Sequence, residues 1–370
     1  MSAIQLRNTH YRFNNMMLFY VFNLLLLSNF AASKSIIKSL PGFNGSLPFV
    51  LETGYIGVGE LEAVQLFYYF IESERSPEDD PLVIWLTGGP GCSALSGLVY
   101  EIGPLAVDYA KSSGGGQPVF ALNPYSWTKI ASIIFIDAPV GTGFSYSTTL
   151  EGYDVSDTLS AAQTYEFLRK WLVDHPEFLT NPLYVAGDSY SGIVAPIIVQ
   201  EISDAGNEAG HQPTINLKGY VLGNPVTDDE IDNNSKVPFA HLKTLISDEL
   251  YVSFMKNCKG EYLNPDQSNA SCMEDILSIK ECIGKVCPVQ ILEPICKVIS
   301  PKPMTLKWDP RFLIADDTDI LLSSPHVPRH WCRSFNYVYI YKWANDETVQ
   351  DALHIRKVCL PNKYQLPDSK

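Results

Sequence analysis

Apolar residues gather in short blocks along the chain: Val64 to Ile71, Leu82 to Leu86, Ile133 to Ile136, Leu183 to Ala186 and Tyr220 to Leu222. Blocks of this length suit strands, and helical patterns lie between them. Ser156 or Asp157 caps one such helix, whose Ala161, Tyr165, Leu168 and Leu172 share a face before His175 and Pro176 end it. The alternation predicts an α/β fold with a mostly parallel sheet, this helix being a crossover packed in the core. From Asp228 to about Trp331 the character changes to cysteines, prolines and short helical pieces, as expected of an insertion over the mouth of the sheet. Tyr337 to Tyr341 then reads as a short strand, Asn345 or Asp346 caps a helix through His354, and Val358 to Lys370 shows no period. No internal repeat or low-complexity tract is present.

The first 33 residues carry Arg7 and Arg12 ahead of an apolar run from Met16 to Leu27, followed by the small residues Ala31, Ala32 and Ser33. That order predicts a signal peptide cleaved near Ser33. The run contains Asn23 and falls short of the ~20 apolar residues that span a bilayer, so no membrane span is expected after its removal. The organisation expected is a signal peptide at 1–33, a core at 34–228, a lid at 229–330, a return to the core at 331–357 and a divergent tail at 358–370.

A lumenal route changes how the eight cysteines read, because that compartment favours disulfides over free thiols or metal ligands. Five crowd into one segment (Cys258, Cys272, Cys282, Cys287 and Cys296), and spacing alone leaves their pairing open. Asn44, Asn233 and Asn269 each begin an Asn-x-Ser glycan acceptor. No retention motif ends the chain, so extracellular space and vacuole are both expected destinations. A net charge of -14 would repel phosphate backbones and anionic lipid, which excludes nucleic acid as a partner. No cofactor or metal is expected.

The chemistry-bearing pattern is Leu183-Tyr-Val-Ala186 running into Gly187-Asp188-Ser189-Tyr190-Ser191-Gly192 and then the helical Ile193 to Ile202. A strand, a tight turn and a helix make the context of a nucleophile elbow: small residues two before and two after the serine let the turn project its hydroxyl. The helix also aims its N-terminal dipole at a developing oxyanion. A second pattern, Trp85-Leu-Thr87-Gly88-Gly89-Pro90-Gly91-Cys92-Ser93, is a glycine-dense turn after a strand, and it nominates the amides of Gly89 and Tyr190 for an oxyanion hole.

These two patterns occur in order with Asn123-Pro-Tyr-Ser-Trp127, Asp137-Ala-Pro139-Val-Gly141-Thr-Gly143-Phe144-Ser145-Tyr146, Gly223-Asn224-Pro225, Leu245-Ile-Ser-Asp-Glu249 and Trp343-Ala-Asn-Asp346. Together they resemble the serine carboxypeptidase family, from about Leu40 onward. The resemblance implies an α/β-hydrolase fold with a helical, disulfide-linked lid, Ser189 as nucleophile, and carboxylate recognition by Thr87, Gly88, Glu101 and Asp188. It also implies the bridges Cys92–Cys332, Cys258–Cys272 and Cys282–Cys296, with Cys287 and Cys359 unassigned. Carboxypeptidases of this family usually have Asn where Thr87 stands and Glu where Asp188 stands. Thr87 lacks the amide and Asp188 is one methylene shorter, so the grip on a peptide C-terminus loosens. Both changes resemble the plant acyltransferase branch, which moves acyl groups from glucose esters to alcohols or amines through the same acyl-enzyme. The partners expected are therefore a small-molecule acyl donor and acceptor, with a peptide C-terminus as the alternative.

Acyl transfer by serine needs an imidazole as general base, oriented by a carboxylate. The family places these in Gly-Asp-x-Asp and Gly-Gly-His-Thr turns, and neither turn occurs in this sequence. The histidines after Ser189 are His211, His241, His326, His330 and His354, none behind a strand and glycine turn. The expectation at this level is an incomplete gene model, an alternative transcript or a degenerate copy, lacking the C-terminal strands and helix and catalytically silent in this form.

Overall fold

The computed structural model describes residues 34–112, 117–287, 290–293 and 333–357. The expected signal peptide, much of the second half of the expected lid and the tail lie outside them. Among the described residues ten strands are formed: β1 (Lys34–Ile37), β2 (Leu51–Val58), β3 (Val64–Ile71), β4 (Leu82–Leu86), β5 (Leu105–Val107), β6 (Phe120–Leu122), β7 (Ser132–Ile136), β8 (Tyr146–Ser147), β9 (Leu183–Asp188) and β10 (Leu217–Gly223). Apart from the β5-β6 pair they make one sheet in the order β1-β2-β3-β7-β4-β9-β10, with β8 alongside β3. β7, β4, β9 and β10 are parallel neighbours, while β1, β2 and β3 are joined to each other and to β7 by antiparallel pairing.

The uninterrupted apolar blocks of β3, β4, β7 and β9 are explained by layers on both faces of the sheet, whereas Tyr220 and Val221 on the edge strand β10 are exposed. Side chains alternate across the pleat. Phe67, Tyr69, Val83, Trp85, Ile133 and Phe135 enter one core, and Leu66, Tyr68, Phe70, Ile84, Ile134 and Ile136 enter the other. The second core is covered by α1 (Asp157–Asp174), capped by the Ser156 hydroxyl on Leu159 N–H, and by α2 (Ser191–Gln200). Trp171 of α1 is fully buried there, its ring stacked on His175 at 3.9 Å. Burying side chains of this size contributes roughly 1.5–3 kcal/mol each.

After β10 come α3 (Asp229–Asn234), α4 (Lys236–Leu242), α5 (Asp248–Cys258) and α6 (Ala270–Ile283). The last three share a separate, smaller cluster of Val237, Ala240, Ile246, Phe254, Ile276 and Ile279, and a Cys258–Cys272 disulfide joins α5 to α6. The chain then returns with α7 (Arg333–Ala344) and α8 (Glu347–Ala352), whose Ile340, Trp343 and Val349, with Leu353 just beyond, complete the first core.

The strand expected at Tyr337 to Tyr341 is instead part of α7. Tyr339, Ile340 and Trp343 are spaced to fall on one helical side and are buried, with the Trp343 indole donating to Pro41 O at 2.8 Å. The β-propensity of Tyr-x-Tyr-x-Tyr yields to that packing. The helix expected to reach His354 stops at Ala352, and His354 takes φ 56° just beyond it. The β2 strand, absent from the sequence expectation, pairs with β3 along its whole length.

Candidate active site

The parallel strands β7, β4, β9 and β10 all end on one edge of the sheet, so Asp137, Thr87, Ser189 and Asn224 follow them at the same side. There β9 turns sharply into α2. Ser189 holds φ 54°, a left-handed conformation uncommon for a residue with a Cβ, and its side chain is exposed. The turn is fixed around it: Ser189 N–H donates to Gly223 O at 2.9 Å, and Val226 N–H donates to Ser189 O at 2.8 Å. The small residues at both flanks are needed. A Cβ on Gly187 would meet Ser191 Cβ at 2.6 Å, and the Ser191 hydroxyl donates to Leu86 O at 2.8 Å, tying the elbow to the end of β4. Ser191 therefore serves where a glycine is usual.

The glycine turn after β4 packs directly on the elbow. A Cβ on Gly88 would lie 2.6 Å from Ser189 Cβ and 2.8 Å from Tyr190 N. Among the described residues neither Gly89 N–H nor Tyr190 N–H has a partner, so both amides are available to an anionic oxygen. The Tyr190 hydroxyl donates to Asp157 at 3.1 Å, linking the elbow to the start of α1.

The acids named from the sequence do meet here. Asp188 accepts Gly88 N–H at 3.1 Å, and burial raises its carboxyl above the usual range. Burial, then the negative charge of Asp188, pushes Glu101 up to about 7. Its Oε2 is buried with no hydrogen-bond partner among the described residues. Thr87 accepts the Trp85 indole N–H at 3.2 Å. The Cys92 thiol is raised by burial and by the charges of Asp188 and Glu101, so it belongs to the same electronegative pocket. That neighbourhood was invisible in the sequence. So was the role of Asp137, fully buried behind the glycine turn and accepting from Ser93, Ala94 and Phe144. Its position directly after an apolar strand and before Pro-x-Gly-x-Gly was the signal available.

No described histidine bonds Ser189. His175 is buried against Glu52 at 2.9 Å, His241 pairs with Asp248 at 2.7 Å, His211 is exposed, and His354 follows α8. His326 and His330 lie outside the described residues.

The Cys258–Cys272 bridge is present, whereas Cys332 and Cys296, the implied partners of Cys92 and Cys282, lie outside the described residues, as does Cys359. Of the glycan acceptors, Asn44 is exposed, Asn233 bonds Asp229, and Asn269 caps α6 by accepting Cys272 N–H at 3.1 Å. No helix among the described residues is long and apolar enough to cross a membrane, and no group of three metal-ligating side chains occurs among them.

The sequence pattern described as serine carboxypeptidase matches residues 41–366. Serine carboxypeptidase-like 2 of Arabidopsis thaliana is 50% identical over 88% of this chain and 67% of its own length. Serine carboxypeptidase-like 19 of the same plant is 45% identical over 91% of this chain and 72% of its own. A prohormone-processing carboxypeptidase from Saccharomyces cerevisiae superposes with a TM-score of 0.55 at 23% identity, over 83% of this chain and 64% of that one, a likeness of fold. The chain thus spans about two thirds of the length of these proteins.

Proposed function

This chain belongs to the serine carboxypeptidase family, and from that premise we propose that its site is built for acyl transfer through Ser189, with a glucose ester as donor. In the first half-reaction the Ser189 hydroxyl oxygen bonds the acyl carbon, the bond from that carbon to the glucose oxygen breaks, and the serine proton leaves with glucose. An alcohol or amine then takes the acyl group and returns a proton to Ser189. The amides of Gly89 and Tyr190 stabilise the oxyanion of each tetrahedral intermediate.

The observation that carries the choice of acyl transfer over peptide hydrolysis is the state of the acid pocket. Asp188 spends one oxygen on Gly88 N–H, Thr87 accepts the Trp85 indole N–H and keeps one hydroxyl donor, and among the described residues no side-chain amide bonds either of them. Above about pH 7, where Glu101 ionises, a peptide carboxylate would meet two acids and a single hydroxyl donor, whereas an uncharged ester meets no such repulsion. The helical segment α3–α6 supplies the lid that selects acyl and acceptor groups. Entry into the secretory route, with the glycan at Asn44 the best presented, completes the reading.

A second reading, binding without turnover, is favoured by one observation: no described imidazole bonds the Ser189 hydroxyl. A fluorophosphonate probe separates the two. Labelling of Ser189 in the 370-residue chain, lost in Ser189→Ala, supports a reactive nucleophile. Unlabelled protein that still binds a glucose ester supports the binding form. Release of a C-terminal residue from a blocked peptide, with no acyl transfer, would eliminate the transferase reading.

A further inference from the structure

The glycine turn beside Ser189 is anchored at both ends by carboxylates. At its front, Asp188 accepts Gly88 N–H at 3.1 Å. At its rear, Asp137 Oδ1 accepts the Ser93 hydroxyl at 2.6 Å and Ala94 N–H at 2.9 Å, while Oδ2 accepts Phe144 N–H at 2.9 Å from the next loop. Asp137 is itself held by its backbone. Its N–H donates to Phe67 O at 2.9 Å, and its carbonyl accepts the Ser145 hydroxyl at 2.6 Å.

A carboxylate at 0% exposure is an expensive way to fill space, because an ion loses its hydration on burial unless donors replace the lost water. Here all three donors belong to two loops rather than to the strands that make the core. One of those loops bears the Gly89 amide. The arrangement therefore sets the relative position of the loops and is not required for packing β7.

We propose that Asp137 is a positioning residue for acyl transfer, holding the Gly88–Ala94 turn in register with the Ser189 elbow. The inference rests on the reading of Ser189 as nucleophile. Burial pushes the Asp137 carboxyl up to about 6, with the three donated bonds acting in the opposite direction. The titratable groups that face it are Tyr69 on β3 and Tyr55 on β2, both raised by burial and therefore uncharged through neutral pH. Ser93, Ala94 and Phe144 bring no charge from the loops. Above its pKa the anion accepts from all three donors, and protonation weakens that hold. A hydrogen bond to a charged acceptor weighs roughly 10- to 100-fold in an equilibrium constant.

The test uses the full chain with Asp137→Asn and Ser93→Ala. Two quantities are measured: the rate of Ser189 labelling by a fluorophosphonate from roughly pH 5 to 8, and amide hydrogen exchange across Gly88–Ala94 and at Phe144. Asp137→Asn should slow labelling about tenfold and abolish a wild-type inflection near pH 6, while the turn exchanges about tenfold faster and β3 and α1 keep their protection. A purely structural role would not move the pH profile. Labelling and turn protection equal to wild type in both variants would overturn the proposal. Should the wild type resist labelling altogether, the nucleophile reading fails, and exchange alone then judges Asp137: unchanged turn protection overturns it and loosened protection upholds it. If Asp137→Asn does not fold, Ser93→Ala decides by the same measurements.

Discussion

The sheet and the helical insertion achieve order by different means. The central strands β3, β4 and β7 are packed on both faces, with Phe67, Ile84, Ile133, Ile134 and Phe135 all at 0% exposure, so their geometry follows from burial, whereas the edge strand β10 leaves Tyr220 and Val221 exposed. The insertion α3–α6 buries only a small cluster of its own and adds a covalent link between α5 and α6. The difference teaches where precision is available: the nucleophile elbow and glycine turn grow from strand ends that cannot shift, whereas the element read as choosing the substrate stands on a weaker support. Local opening is expected to begin in the insertion.

The sharpest test of that contrast is a matched pair of truncations. Phe135→Ala, in the middle of β7, should lower global stability by about 3–5 kcal/mol in urea unfolding. Phe254→Ala, equally buried on α5, should leave the sheet's transition in place and loosen only the insertion, as read by hydrogen exchange. A global loss from Phe254→Ala equal to that from Phe135→Ala would break the comparison. Next in size, the double change Cys258→Ser and Cys272→Ser opens a loop with a sequence separation of 14 and should destabilise the insertion by about 3 kcal/mol.

A smaller effect is expected within the acid pocket. Glu101 has its folded pKa raised from 4.5 to about 7, so the folded state binds more protons than the unfolded one between those values. Stability from this group is fully present below about pH 4.5 and is lost as pH rises through about 7. Glu101→Gln should flatten that slope and raise stability at pH 8 by about 2 kcal/mol, measured by urea midpoints across the range. Smallest is Ser191→Ala, which removes a buried hydroxyl bonded to Leu86 O and should cost about 1 kcal/mol in thermal unfolding. Ser189 reactivity should fall with it if the elbow depends on that tie.

Much of the site was legible because strand, turn and helix are local. Gly187, Ser189 and Ser191 lie within five consecutive residues, and the positive φ at Ser189 is the conformation that their sizes implied. Asp137 was not legible as an anchor. Its partners Ser93 and Phe144 are brought to it by loops after two different strands, so the cluster exists only once β4 and β7 are neighbours. Tyr337 to Tyr341 failed for the opposite reason: a local strand preference was plain, and the tertiary surface offered by Pro41 and Phe120 overrode it in favour of a helix.

The amino-acid sequence by itself determined the buried strands β3, β4 and β9, the capped crossover helix, and the elbow that presents Ser189, since each follows from side-chain size, polarity and capping over a few residues. Only the tertiary structure decided which strands are neighbours, which acids face each other in the pocket, and what holds the glycine turn in place. The physical reason is that burial raises Asp188, and burial with the charge of Asp188 raises Glu101, only when distant segments close around them, a property of the assembled fold and not of any stretch of chain.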